Sequence, residues 1–96
     1  MSERQREFTE TLKARLDDWD AEIRKIRQQA ESASTEMKAQ YEKQLVDLRK
    51  QRDLAEQRLE ALRKSGDEAY EDIRKGAEKA FDDLSEAVRR AWSRLN

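Results

Sequence analysis

Three pairs of adjacent carboxylates are the groups in this sequence best suited to chemistry. The pairs are Asp17–Asp18, Glu71–Asp72 and Asp82–Asp83. Two carboxylates that converge can act as a general acid and a nucleophile or general base, or can hold a divalent cation. Neighbouring side chains on a helix diverge by about 100°, so the members of each pair do not meet at one point of a helix face. We therefore expect these carboxylates to hydrate the surface.

The other residue types that most catalytic and metal sites require are missing. The sequence has no His and no Cys, which excludes the usual nucleophile–base pairs and most zinc sites. The di-iron sites of helical bundles need a Glu-x-x-His motif, which cannot occur here. We predict no catalytic residue, no metal site, no cofactor and no enzymatic activity.

Composition indicates a helical protein whose charges are balanced. Charged residues make up 45% of the 96 residues and hydrophobic residues 35%, with two Gly and no Pro, which is typical of coiled coils and long helices. The 21 basic and 22 acidic residues are mixed along the chain, whereas a nucleic-acid partner requires a basic face. We therefore predict no nucleic-acid partner. No apolar run is long enough for a signal peptide or a membrane span, so we predict a cytoplasmic protein.

An eleven-residue repeat in the C-terminal third predicts a helix there. Its four columns are Tyr70, Phe81 and Trp92; Ile73, Leu84 and Leu95; Ala69, Ala80 and Ala91; and Ala77 and Val88. Eleven residues fill three helical turns at about 3.67 residues per turn, so all four columns lie on one face. The repeat predicts an amphipathic helix that packs along its whole length.

A second apolar stripe, with a seven-residue period, runs through the N-terminal half. Its members are Leu12, Leu16, Trp19, Ile23, Ile26, Ala30, Ala33 and Met37. Their alternating steps of four and three residues are typical of a coiled coil. The stripe continues to Leu62, but Arg52 interrupts it between Leu48 and Ala55. A polar residue there can fix register or oligomeric state, or can pack its stem and keep its charged head in water.

Four features predict a turn at Ser65 and Gly66. Basic residues before it suit the end of one helix, and acidic residues after it suit the start of the next. Ser65 and Glu68 have the spacing of a capping box, and Gly66 can adopt the left-handed conformation that ends helices. We therefore predict one helix over residues 3–64, with Ser2 as its cap, and another over residues 67–95.

Residues 32–35, Ser-Ala-Ser-Thr, have weak helix propensity and are a second candidate for a break. They contain no Gly or Pro, and the apolar stripe stays in phase across them, so we favour a continuous helix. The predicted fold is all-α, an antiparallel helical hairpin or coiled coil with one long and one shorter helix, in a single domain over residues 1–96. A break near Ser34 gives the alternative, a three-helix bundle.

The long hairpin requires a partner, because its second helix covers only half of the first. We predict a homo-oligomer, with a dimer as the preferred form and other proteins as further partners. The predicted packing and oligomer interface consists of Phe8, Leu12, Leu16, Trp19, Ile23, Ile26, Tyr70, Ile73, Phe81, Leu84, Val88 and Trp92. The alternative function is binding to a membrane surface through residues 67–95, since amphipathic helices with aromatic residues also bind lipid.

A motif in the C-terminal third carries a family resemblance. Its residues are Ser65, Gly66, Asp67, Tyr70, Glu71, Asp72, Ile73, Gly76, Phe81, Asp82, Asp83, Leu84 and Ala87. The motif resembles the tail of a family of small bacterial all-helical proteins, often described as coiled-coil stress-response proteins. That tail typically contains Ser-Gly-Asp-Ala-Trp-Glu-Asp-Leu, then Gly, a second aromatic residue and Asp-x-Leu. The segment from Tyr41 to Asp53 is similar to the same family.

The chain departs from the family pattern in two ways. An additional residue, Glu68, precedes Ala69, and Tyr70 and Phe81 stand where Trp is common. The resemblance implies a non-enzymatic protein linked to stress physiology. We therefore predict a homo-oligomeric coiled-coil structural or protein-interaction module that acts in a bacterial stress response.

Overall fold

Three α-helices contain most of the residues that the computed structural model describes, which are residues 2–95. They are α1 (Glu3–Glu31), α2 (Thr35–Lys64) and α3 (Tyr70–Leu95). The helices lie side by side in a bundle that measures 51 × 18 × 18 Å. The all-α prediction is confirmed, and the alternative three-helix bundle describes the chain.

The start of α1 agrees with its predicted cap. The backbone N–H of Gln5 donates to Ser2 Oγ at 3.2 Å, and the backbone N–H of Ser2 donates to Gln5 Oε1 at 3.0 Å. This reciprocal capping box satisfies two N–H groups that the first helical turn cannot pair internally.

The helical hairpin with one helix over residues 3–64 is wrong, because the chain turns between Glu31 and Thr35. Ser34 takes an extended conformation, and its Oγ accepts from the N–H of Met37 at 3.4 Å to cap α2. Serine is favoured at the N-cap of a helix and disfavoured in a helix interior. The turn also lets α1 fold back onto α2 and bury the stripe within one chain.

The turn at Ser65 and Gly66 is confirmed, although its conformation differs from the predicted one. Ser65 is extended, and its hydroxyl donates to the Leu62 carbonyl at 2.7 Å, so it closes α2 instead of opening α3. Gly66 does not have a positive φ, because the extended Ser65 already redirects the chain. A further turn follows at residues 67–69, and α3 begins at Tyr70, three residues later than predicted.

The three helices run up, down and up around a common core. Cross-helix contacts establish these directions: Asp20–Arg52 and Gln29–Tyr41 between α1 and α2, and Phe8–Arg74 and Glu22–Trp92 between α1 and α3. The buried apolar residues are Leu12, Leu16, Ile23, Ile26 and Ala30 on α1, Tyr41, Leu45, Leu48, Ala55, Leu59 and Leu62 on α2, and Tyr70, Ala77, Ala80, Phe81, Leu84, Ala87, Val88, Ala91 and Leu95 on α3. From Tyr70 onward the eleven-residue columns therefore form the face of α3 that packs inward, whereas Ala69 lies exposed in the preceding turn.

Candidate functional site

The residues predicted as a packing and oligomer interface lie in the core of a single chain. Eight of them are buried: Leu12, Leu16, Ile23, Ile26, Tyr70, Phe81, Leu84 and Val88. The other four, Phe8, Trp19, Ile73 and Trp92, are partly buried and pack against that core. The expectation that the α1 stripe lies uncovered is wrong, because α2 and α3 cover it.

This arrangement also bears on lipid binding through α3. The apolar columns of α3 face α1 and α2, so a membrane surface would meet them only after α3 had separated from the other helices. None of the helices in the described part of the chain combines the length and the apolar composition that a bilayer crossing requires.

Aromatic side chains between α1 and α3 are covered by charged groups from the opposite helix. The Arg74 guanidinium lies 4.7 Å from the centre of the Phe8 ring, and the Arg15 guanidinium lies 5.6 Å from that of Phe81. Both distances fall in the range of cation–π contacts. Through these contacts, charged surface side chains pack directly against aromatic rings at the edge of the core.

Trp92 also joins α3 to α1. Its Nε1 donates to Glu22 Oε2 at 3.1 Å, and Glu22 in turn accepts from Lys25 Nζ at 3.2 Å. The indole therefore keeps its polar atom satisfied while its ring packs on the core. Tyr70, at the other end of α3, is buried, and desolvation raises the pKa of its phenol.

Arg52 forms the most extensive ion-pair cluster among the described residues. Its Nε and a terminal nitrogen donate to the two Asp20 oxygens at 2.8 and 3.2 Å, and it also contacts Asp53 and Glu56. Arg52 and Asp20 are each 28% exposed. The hydrogen bonds that Arg52 donates to Asp20 raise the pKa of Arg52 further above its ordinary value. A fork-to-fork pair of this kind fixes the register of α1 against α2.

We expect Arg52→Ala to lower the free energy of unfolding by about 1–2 kcal/mol, since hydrogen bonds to charged groups contribute in that range. Arg52→Met should lower the free energy of unfolding by less, because it keeps an apolar stem over the core. Urea unfolding followed by circular dichroism measures both variants. Equal stability of Arg52→Ala and the unchanged protein would contradict a role for this pair in register.

The adjacent carboxylate pairs lie on the surface. Asp17 accepts from Lys13 Nζ at 2.6 Å and Asp83 from Lys79 Nζ at 2.8 Å, each across one turn of its own helix. The hydrogen bond to Asp83 raises the pKa of Lys79. Within residues 2–95, acidic side chains do not gather in groups of three that could hold a metal ion.

The outward side of α2 carries two exposed apolar side chains, Val46 at 62% and Leu54 at 38% exposure. The third large exposed hydrophobic residue of the described chain, Met37 at 40%, lies on the opposite side of the helix from Val46, beside Ser32 and Ala33 of the turn. Val46 and Leu54 lie opposite the core stripe at helical spacing. We define the outer α2 face as the exposed residues Ala39, Lys43, Val46, Lys50, Leu54, Gln57, Ala61 and Lys64.

The apolar spacing predicted the core stripe but not this face. Its basic residues are all lysines, and its other members are apolar or uncharged. A groove within it is bounded in part by Lys50, Leu54 and Gln57. An exposed helix face that mixes apolar side chains, lysine stems and such a groove is suited to packing against another helix.

Comparisons with known proteins do not identify a relative. No protein-family model matches the chain, and searches of curated proteins and of solved structures find no match. The resemblance to the stress-response family therefore stays a prediction.

Proposed function

We propose that this chain is a non-enzymatic helical interaction module that associates with itself, a dimer being the preferred assembly. The outer α2 face carries this proposal. The bundle buries its own core, and two of the three large apolar side chains that it leaves exposed within residues 2–95, Val46 and Leu54, lie on this face. Aligned apolar residues with a polar border are typical of protein contact surfaces.

The biological setting that we propose is a bacterial stress response in the cytoplasm. The resemblance at Ser65–Leu95 supports this assignment. The absence of His and Cys from the sequence supports the non-enzymatic role, because it leaves few routes to catalysis. Other proteins that offer an amphipathic helix are further partners of the same face.

Self-association is tested by measuring mass in solution. We expect light scattering and sedimentation equilibrium to show a rise above the monomer mass of 11.4 kDa between ~1 µM and ~1 mM protein, the range of a weak protein contact. The unfolding temperature should rise with concentration, because association stabilises the folded chain. A constant monomer mass up to the highest concentration would contradict the proposal.

A further inference from the structure

We propose that the outer α2 face binds the same face of a second copy, with the two α2 helices antiparallel about a two-fold axis between Lys50 and Leu54. This inference rests on the self-association proposed above and names the surface and geometry that produce it. A second copy is the occupant because the face is complementary to itself in spacing, polarity and charge.

Spacing is the first observation. From Ala39 to Lys64, the residues of the outer α2 face follow one another in steps of four, three, four, four, three, four and three. Measured from position 52, midway between Lys50 and Leu54, they lie 2, 6, 9 and 13 positions towards the N-terminus and 2, 5, 9 and 12 towards the C-terminus. Two antiparallel copies therefore bring their side chains to heights that differ by no more than the rise of one residue, about 1.5 Å. The face spans about 38 Å at 1.5 Å per residue, enough for several interlocking layers.

Polarity is the second observation. The antiparallel pairing places an apolar or small residue of one copy level with a polar residue of the other. The level pairs are Lys50 with Leu54, Val46 with Gln57, Lys43 with Ala61, and Ala39 with Lys64 of the second copy. Each lysine stem can then lie along an apolar neighbour while its ammonium group reaches the border of the contact.

Charge is the third observation. Lys43, Lys50 and Lys64 have no ion-pair partner within residues 2–95. The proposed pairing brings Lys50 near Asp53 of the second copy and Lys43 near Glu60 of the second copy. Both carboxylates border the face; they contact Arg52 and Arg63 of their own chain, but 66% and 45% of their side chains stay exposed. Symmetry doubles each pair, and such flanking pairs select helix orientation in coiled coils.

Other arrangements of the same face lack this match. Two parallel α2 helices would set each lysine against its own copy, and like charges at that distance repel. Contact with the acidic outer side of α1, at Glu3, Glu7 and Glu10, closes as a dimer only if α1 and α2 of each copy meet the other copy at once, and their outer sides face different directions in the bundle. The antiparallel α2 pair closes as a dimer.

Disulfide trapping tests the geometry, since the chain has no Cys of its own. One variant carries Lys50→Cys and the other carries Leu54→Cys. The two are mixed in equal amounts and oxidised mildly, and the disulfide-linked products are distinguished by mass. We expect the mixed disulfide to exceed the statistical half of the product, because only that pair places the two sulfurs within bonding range. A preference for Lys50→Cys homodimers, as a parallel pair requires, would overturn the proposal.

Matched charge substitutions test the surface. Leu54→Glu is expected to weaken self-association by about tenfold or more, whereas Ala14→Glu, an equal charge change at an exposed position of α1, should leave it unchanged. Circular dichroism confirms that both variants fold. If the unchanged chain associates but Leu54→Glu does not weaken the association, the α2 geometry is wrong and self-association stands. The same conclusion follows if the unchanged chain forms assemblies larger than a dimer. If the unchanged chain is a monomer, both proposals fail.

Discussion

Replacing Phe81 with Ala is expected to lower the free energy of unfolding by about 3–5 kcal/mol. Phe81 is the largest fully buried side chain among the described residues, with 0% exposure. Its removal takes away apolar contact and leaves a cavity that three packed helices can close only in part. Domains of this length have stabilities of about 5–15 kcal/mol, so this one change removes a large share.

Phe8→Ala is the matched control for this measurement. Phe8 is partly exposed near the first turn of α1, and the Arg74 guanidinium covers its ring from 4.7 Å. Its loss should reduce stability by about 1–2 kcal/mol, because less apolar area is removed from contact. Both variants are compared by urea unfolding. A loss at Phe81 no larger than that at Phe8 would contradict the packing described for α3.

Removing residues 66–96 is expected to abolish cooperative unfolding. The deletion takes away nine buried apolar residues of α3 and exposes the faces of α1 and α2 that they cover. Two helices that have lost their third packing partner gain too little burial to offset the entropy of ordering them. Thermal unfolding followed by circular dichroism should change from a sigmoidal transition to a shallow, gradual loss of helix.

A synthetic peptide of residues 66–96 provides the positive control. Added to the truncated chain, it should restore helicity and a sigmoidal transition, because it returns the missing face of the core. The outcome also separates the bundle from the long hairpin. If residues 1–65 alone formed a stable dimer with a cooperative transition, a continuous helix over residues 3–64 would be the better description.

The sequence predicted which residues are buried better than it predicted how the helices connect. All twelve residues assigned to the packing interface are buried or pack against the core, because the spacing of apolar residues reports directly which side of a helix faces inward. Connectivity is a different question. A stripe that stays in phase through Ala30, Ala33 and Met37 is compatible with a straight helix and with two helices that fold together.

The break at residues 32–34 depends on capping, hydrogen bonding and chain entropy, and the spacing of apolar residues reports none of these. Capping by Ser34 contributes about 1 kcal/mol, and Tyr41 donates to Gln29 Oε1 at 3.2 Å across the turn. Folding back within one chain also buries the α1 stripe without the entropy loss of bringing a second chain to it. At Gly66 the local features did predict the turn, but an extended Ser65 made a left-handed glycine unnecessary.

The outer α2 face was missed for a related reason. Val46 follows the buried Leu45, and Leu54 precedes the buried Ala55, so each exposed residue lies beside a member of the core stripe. On a helix, adjacent positions point in quite different directions. The off-stripe positions of Val46 and Leu54, eight residues apart, were the feature of the sequence that could have shown a second apolar face.

The three-residue turn between α1 and α2 makes the chain a candidate for domain swapping. Because the stripe is in phase on both sides, a helical turn at Ser32–Ser34 would join α1 and α2 into one straight rod with its apolar residues still on one side. In that rod, α1 would leave its own α2 and α3 and pack against those of a neighbouring chain through the same contacts. In the structure Ser34 is extended and caps α2, so this short turn is the feature that keeps α1 on its own α2 and α3 and the chain closed.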